Sequence, residues 1–232
     1  MTLFRTILFV AALAGIGAGV VIAAVHMFST VPLILQAETF EATEAPAPHA
    51  HDAGTPAHAH DADAWAPSDG FERNGFTLLF MVLTGFGFGL LLTAVSEVAG
   101  GLAGWRQGVV WGLAGFAVFT LAPGLGLPPE LPAMPAAELM DRQLWWVGTA
   151  TATAAGLALM VFGRSPLLAA LGVAVLLAPH IIGAPQPASF ESPIPEALHH
   201  SFVVASVATS LLFWVLLGGL AGWLRPRLAA AA

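Results

Sequence analysis

Ile7-Leu8-Phe9-Val10-Ala11-Ala12-Leu13-Ala14-Gly15-Ile16-Gly17-Ala18-Gly19-Val20-Val21-Ile22-Ala23-Ala24-Val25-His26-Met27-Phe28 carries no Asp, Glu, Lys or Arg. About 20 helical residues cross the roughly 30 Å hydrocarbon core of a bilayer, and this run is long enough. Three more uninterrupted runs of the same character follow at 76–95, 144–162 and 202–223. Two others are weaker: 102–122, with Trp105, Arg106 and Gln107 near its start, and 167–182, with Pro179 and His180 near its end. The runs are continuous rather than alternating, and in lipid the backbone must satisfy its own hydrogen bonds, so helices follow and a barrel does not. The expected fold is an all-α integral membrane protein, a polytopic bundle of six transmembrane helices, or five if one weak run lies in the interface. The first run exceeds a signal-peptide apolar region and no clear small-x-small site follows it, so an uncleaved anchor is expected.

Composition agrees. Of 232 residues 57% are hydrophobic and 9% charged, against about 25% charged in soluble domains. The formal charge of −7 includes no lysine, which argues against nucleic-acid binding, and the absence of cysteine leaves only N and O ligands for any metal. Arginine decides the orientation, since basic short loops stay in the cytoplasm. With the N-terminus inside, Arg5, Arg106, Arg164, Arg225 and Arg227 are cytoplasmic and Arg73 and Arg142 lie outside. Glu97 is then the one inner carboxylate, and all eight histidines fall on the outer side or in its half of the membrane.

The whole chain, 1–232, reads as one membrane domain, with residues 29–75 an extracytoplasmic loop between the first two crossings. Between Glu38 and Arg73 that loop holds four histidines and eight carboxylates, and His49-Ala50-His51-Asp52-Ala53 recurs nine residues later as His58-Ala59-His60-Asp61-Ala62. Neutral imidazole and carboxylate suit Co²⁺, Ni²⁺, Zn²⁺ and Cu²⁺ without choosing among them. The bland alternative is a solvated Ala- and Pro-rich linker. Candidate metal ligands are therefore His49, His51, Asp52, His58, His60 and Asp61 in the loop. His26, His180, His199 and His200, with Glu196 or Glu38, form a second set at the outer mouth, because ionisable residues at membrane depth are functional candidates. Pro179 removes a backbone donor, so a carbonyl and the His180 imidazole are expected to face the interior. The inner half offers only Glu97, with Thr93, Ser96 and the threonines at 149, 151 and 153.

Small residues at four-residue spacing, at Gly15 and Gly19, Gly85 and Gly89, Gly104, Gly108 and Gly112, and Gly218 and Gly222, predict close helix packing. Trp145 and Trp146 beside Arg142, and Trp223 beside Arg225, read as interfacial anchors. Proline-rich loops at 127–132 and 183–187 stop helices at the outer surface.

The order of Val31-Pro32-Leu33-Ile34-Leu35-Gln36-Ala37-Glu38, the histidine-rich loop, Trp65-Ala66-Pro67-Ser68-Asp69-Gly70-Phe71-Glu72-Arg73, Leu127-Pro128-Pro129-Glu130-Leu131-Pro132, Arg142-Gln143-Leu144-Trp145-Trp146 and Pro179-His180-Ile181-Ile182-Gly183-Ala184-Pro185 resembles the CbtA family of predicted cobalt transporter subunits. The resemblance covers nearly the whole chain. It implies Co²⁺ uptake for cobalamin synthesis across the bacterial inner membrane, with Ni²⁺ or Zn²⁺ as other ions the ligand set would accept. It also implies a small single-span partner, CbtB, and five spans where the residues suggest six. No tightly bound cofactor is expected, and no Gly-x-x-x-x-Gly-Lys-Ser/Thr loop is present for ATP hydrolysis. The alternatives are a metal buffer or sensor, and an intramembrane metalloenzyme. An enzyme is not expected, because no His-x-x-x-His pair fixes a catalytic ion on a helix.

Overall fold

The computed structural model of the chain describes residues 2–44, 67–68 and 70–230, and all the secondary structure among them is helical. Helix α1 runs Thr2–Phe28, α2 Val31–Glu44, α3 Phe71–Val98, α4 Trp105–Gly126, α5 Leu139–Phe162, α6 Pro166–Ile182 and α7 Glu196–Ala230. Five of these, α1, α3, α4, α5 and α7, are long and apolar enough to cross a membrane. The weak run at 102–122 therefore becomes a full-length helix. The other weak run becomes α6, with 17 residues, a length of about 26 Å at 1.5 Å per residue and just short of the hydrocarbon core. It still returns the chain along α5: Gly156 meets Gly172 in mid-helix, and Trp145 near the start of α5 donates its indole N–H to the Pro179 carbonyl near the end of α6 at 3.3 Å.

The glycine spacings become antiparallel seams. A Cβ on Gly15 would lie 2.5 Å from the Gly85 carbonyl carbon, one on Gly108 or Gly218 would lie 2.9 Å from the Cα of Gly222 or Gly112, and one on Gly156 would lie 2.6 Å from the Gly172 carbonyl oxygen. No side chain fits at those points, so dispersion between backbones holds α1 to α3, α4 to α7 and α5 to α6. Helix α1 also packs along α7, with Val10, Ala14, Ala18 and Ile22 in one core with Leu217 and Ala221. The result is a four-helix bundle of α1, α3, α4 and α7, to which the α5–α6 hairpin joins beside α4.

That junction is irregular. Residues Ala117–Leu121 of α4 form a π-helical turn, a local widening that is frequent at functional sites. Beside it, Phe119 stacks on Trp214 at 5.6 Å between centroids and sits 6.1 Å from Trp146. Trp146 thus faces the bundle rather than serving only as an interfacial anchor. Trp145 is likewise occupied by Pro179 and His180.

One expectation needs correction at the outer end. The segment expected as a single loop, 29–75, contains the helix α2 and the first residues of α3. Leu33, Ile34 and Ala37 of α2 pack against Leu131, Ile194, Leu198 and Phe202, so α2 lies across the outer mouth. Its apolar stretch is too short to span the membrane but long enough to cover the ends of its neighbours.

Candidate cation site at the outer end of the bundle

The sequence-predicted ligands have separate surroundings. His26, at the end of α1, hydrogen-bonds through Nδ1 to the Thr30 hydroxyl at 2.5 Å. Glu38 of α2 is held by the Arg73 guanidinium at 3.1 Å. His199 places Nε2 3.1 Å from the Pro129 carbonyl oxygen. A carbonyl only accepts, so Nε2 carries the proton and Nδ1 of the neutral ring keeps its lone pair. Glu196 and His200 are exposed on the first turns of α7. His180 lies edge-on to Trp145, with centroids 5.9 Å apart, and its buried Nε2 has no hydrogen-bond partner.

Among the described residues no three His, Asp or Glu side chains gather as a metal site, so shared topology brings these groups to one end of the molecule without making them converge. His49, His51, Asp52, His58, His60 and Asp61 lie outside the described residues. The Pro179 carbonyl accepts from the Gly183 N–H at 3.0 Å as well as from Trp145; the carbonyl that loses its donor to a helical proline is the one four residues earlier, at Val175. The helix continues to Ile182 because the missing N–H and the ring of a proline disturb the turn before it and leave the residues after it able to stay helical.

The structure adds a feature that the sequence did not single out. A cleft of about 550 Å³ opens where the end of α4, the start of α5 and the middle of α7 meet, beside the π-helical turn. Thr120, Pro129, Glu130, Arg142, Gln143 and Trp146 are among its walls. Of the lining residues, Glu130 is the one carboxylate and Arg142 the one fixed cation. Arg142 Nη2 donates to Glu130 Oε2 at 2.8 Å, with the two side chains 29% and 25% exposed. Thr120 Oγ1 hydrogen-bonds Ser210 Oγ of α7 at 2.7 Å, tying the widened turn of α4 across the bundle. Residues 130 and 142 are joined by a non-helical proline-rich connection, so helical periodicity could not pair them. The only sequence signal was that Arg142 is one of two arginines expected among the outer carboxylates.

The inner end carries a different pair. Arg225 donates from Nε and Nη2 to Glu97 Oε1 and Oε2 at 2.8 and 2.7 Å, and the Glu97 side chain is 13% exposed. Two parallel charge-assisted bonds from a planar fork make a strong, oriented contact. The outer pair is a single, part-buried contact whose side chains are somewhat more exposed than those of the inner pair. The inner pair is therefore the more tightly held of the two. Glu97, the one carboxylate expected at the inner side, thus has both oxygens engaged.

A sequence model of a family described as a probable cobalt transporter subunit (CbtA) matches residues 4–225. The chain belongs to the CbtA family. No curated protein and no solved structure matches it. The match runs from the first turn of α1 to the inner Arg225 and so takes in all six antiparallel helices, α2 and the outer cleft. Family and fold together make this CbtA chain a multi-pass membrane subunit for cobalt transport.

Proposed function

We propose that this chain takes up Co²⁺ across a bacterial inner membrane, supplying cobalamin synthesis. Its histidine- and acid-rich loop captures the ion outside, and a small single-span CbtB-like subunit works beside it. The observation that carries this reading is the family match over residues 4–225 on a bundle of crossing helices. The repeated His-Ala-His-Asp-Ala units support capture, since imidazole and carboxylate hold borderline divalent ions. His26, His180, His199, His200 and Glu196 are ligands for hand-over, each supplying one donor at the outer end rather than a closed cage. Ni²⁺ and Zn²⁺ satisfy the same donors, so selection among ions rests on geometry and availability.

The experiment is uptake of radioactive Co²⁺ by cells expressing the chain with and without its partner. Accumulation above the empty-vector level, lost when this chain is omitted, is the expected result. Binding to membranes without accumulation inside would replace transport by a buffering role.

A further inference from the structure

The outer cleft is apolar along most of its walls and charged at one end. We propose that it seats one phospholipid with a primary ammonium headgroup, of the phosphatidylethanolamine kind. The phosphate sits on Arg142, the ammonium on Glu130 and an acyl chain along the apolar walls. This site stands apart from the transport reading and does not depend on which ion moves.

Phe119, Pro123, Leu127, Leu139, Val147 and Val207 make up much of the lining. Leu139 and Val147 are exposed, so the cleft opens sideways, and on a chain that crosses a membrane the medium on that side is lipid. Phe119 lies on the π-helical turn, stacked on Trp214 and beside Trp146, which gives the cleft a floor fixed before any ligand arrives. Its volume of about 550 Å³ falls within the roughly 300–1,000 Å³ of small-ligand pockets, which are likewise mostly apolar with a few placed polar groups. It takes a headgroup and the first part of one chain, and the rest of the lipid stays in the bilayer.

Depth agrees. Helix α5 has 24 residues, about 36 Å at 1.5 Å per residue against about 30 Å of hydrocarbon, so its first turn reaches the headgroup level. Arg142 is on that turn, and Glu130 is in the connection just beyond α4.

Charge selects the headgroup. Nη2 of Arg142 is joined to Oε2 of Glu130, so among the described residues Nε and Nη1 remain to donate to a phosphate. Oε1 remains to accept from an ammonium. The two wall charges cancel, which suits a ligand that is itself a zwitterion. Residues 127–143 carry Glu130, Glu138 and Asp141 against Arg142 alone, and that net negative entrance disfavours an anionic headgroup such as phosphatidylglycerol. A choline headgroup has the positive charge but no N–H to donate, so Oε1 favours the primary ammonium.

Full-length protein in mild detergent is titrated with lipid, and native mass spectrometry counts the lipid bound. The first phosphatidylethanolamine should bind about tenfold more tightly than phosphatidylcholine or phosphatidylglycerol with the same chains, the scale of one hydrogen bond to a charged group. Glu130→Gln should bring phosphatidylethanolamine down to the level of phosphatidylcholine, and Glu130→Asp should restore the preference. Arg142→Gln should weaken all three lipids. Val207→Trp, which fills the apolar part of the cleft, should weaken all three while leaving their order unchanged.

Equal affinity for the three headgroups in the parent chain would reduce the bound lipid to the ordinary annulus and overturn the proposal. An ethanolamine preference that survives in Glu130→Gln would do the same. So would displacement by glycerophosphoethanolamine, the headgroup without chains, at the concentration the lipid itself needs, since the site would then serve a soluble phosphodiester. The headgroup series on the parent chain decides the matter even where Arg142→Gln fails to fold.

Discussion

Arg225 grips both carboxylate oxygens of Glu97 across 128 positions of sequence, joining the end of α3 to the end of α7. Gly101 sits directly beneath the pair with φ +79°, and a Cβ there would strike the guanidinium and lie 2.9 Å from Glu97 Oε2. The inner end of the bundle is thus closed by one charged contact that needs a glycine next to it.

Glu97→Gln and Arg225→Gln should each lower stability by about 1–3 kcal/mol, the scale for losing hydrogen bonds to a charged partner. The double variant should lose less than the sum, because the second substitution removes a charge already left without its partner. Chemical denaturation in mild detergent measures this. Strict additivity would mean that the pair contributes nothing by itself.

Gly101→Ala should be worse than a usual surface change, since it combines a left-handed backbone with a collision against Arg225. A loss of about 1 kcal/mol or more is expected, and Arg225→Ala in the same chain should relieve the steric part. A thermal melt of the two variants side by side tests it.

Helix seams predict a contrast between glycines. Gly218→Val should prevent assembly of α7 on α4, because the added atoms meet the Gly108 and Gly112 backbone, and overpacking of this kind costs roughly 1–3 kcal/mol or more. Gly148→Val, where nothing lies within 4 Å of the added Cβ, should leave the protein folded and abundant in membranes. Comparable loss of both would contradict the packing described.

Replacing His49, His51, His58 and His60 by alanine should weaken Co²⁺ uptake when the ion is scarce and leave it near normal when it is plentiful. The same variant should flatten the pH dependence. Only neutral imidazole binds metal and an ordinary histidine titrates near pH ~6.5, so capture by the parent should fall as external pH drops from about 7.5 to about 5.5. The carboxylates of Asp52, Asp61 and Asp63 favour the protonated ring and move that loss towards higher pH. Uptake that is abolished at every concentration would put the loop in the path itself, and parallel pH curves would place the titrating group elsewhere.

His180→Ala should stop uptake at any Co²⁺ level with membrane abundance unchanged, because its buried Nε2 has no hydrogen-bond partner and leaving an acceptor or donor unpaired at that depth is costly without a ligand to use it. Uptake at the parental rate would reduce His180 to a packing partner of Trp145.

The all-helical membrane class, the four strong crossings and the glycine spacings were legible in the chain. Each is local: a helix carries its own backbone hydrogen bonds, so length and hydropathy within one segment are enough to place it in lipid. Family membership was legible for the same reason, as a set of short motifs in order. Which groups meet was not local. Glu130 meets Arg142 through the turn that leads from α4 into α5, and Glu97 meets Arg225 where the inner ends of α3 and α7 come together. Val31 to Glu44 folds across the outer mouth because Leu131, Ile194, Leu198 and Phe202 offer it an apolar bed. Residues 166–182 form a helix slightly too short for the membrane by itself, and its return along α5 is set by Gly156 meeting Gly172. The sequence by itself determined that this protein is an all-helical membrane protein of the CbtA family. Only the packed helices decided that the described histidines stay apart while one carboxylate and one arginine share a cleft, because contacts between distant segments depend on the register of close backbone packing rather than on composition.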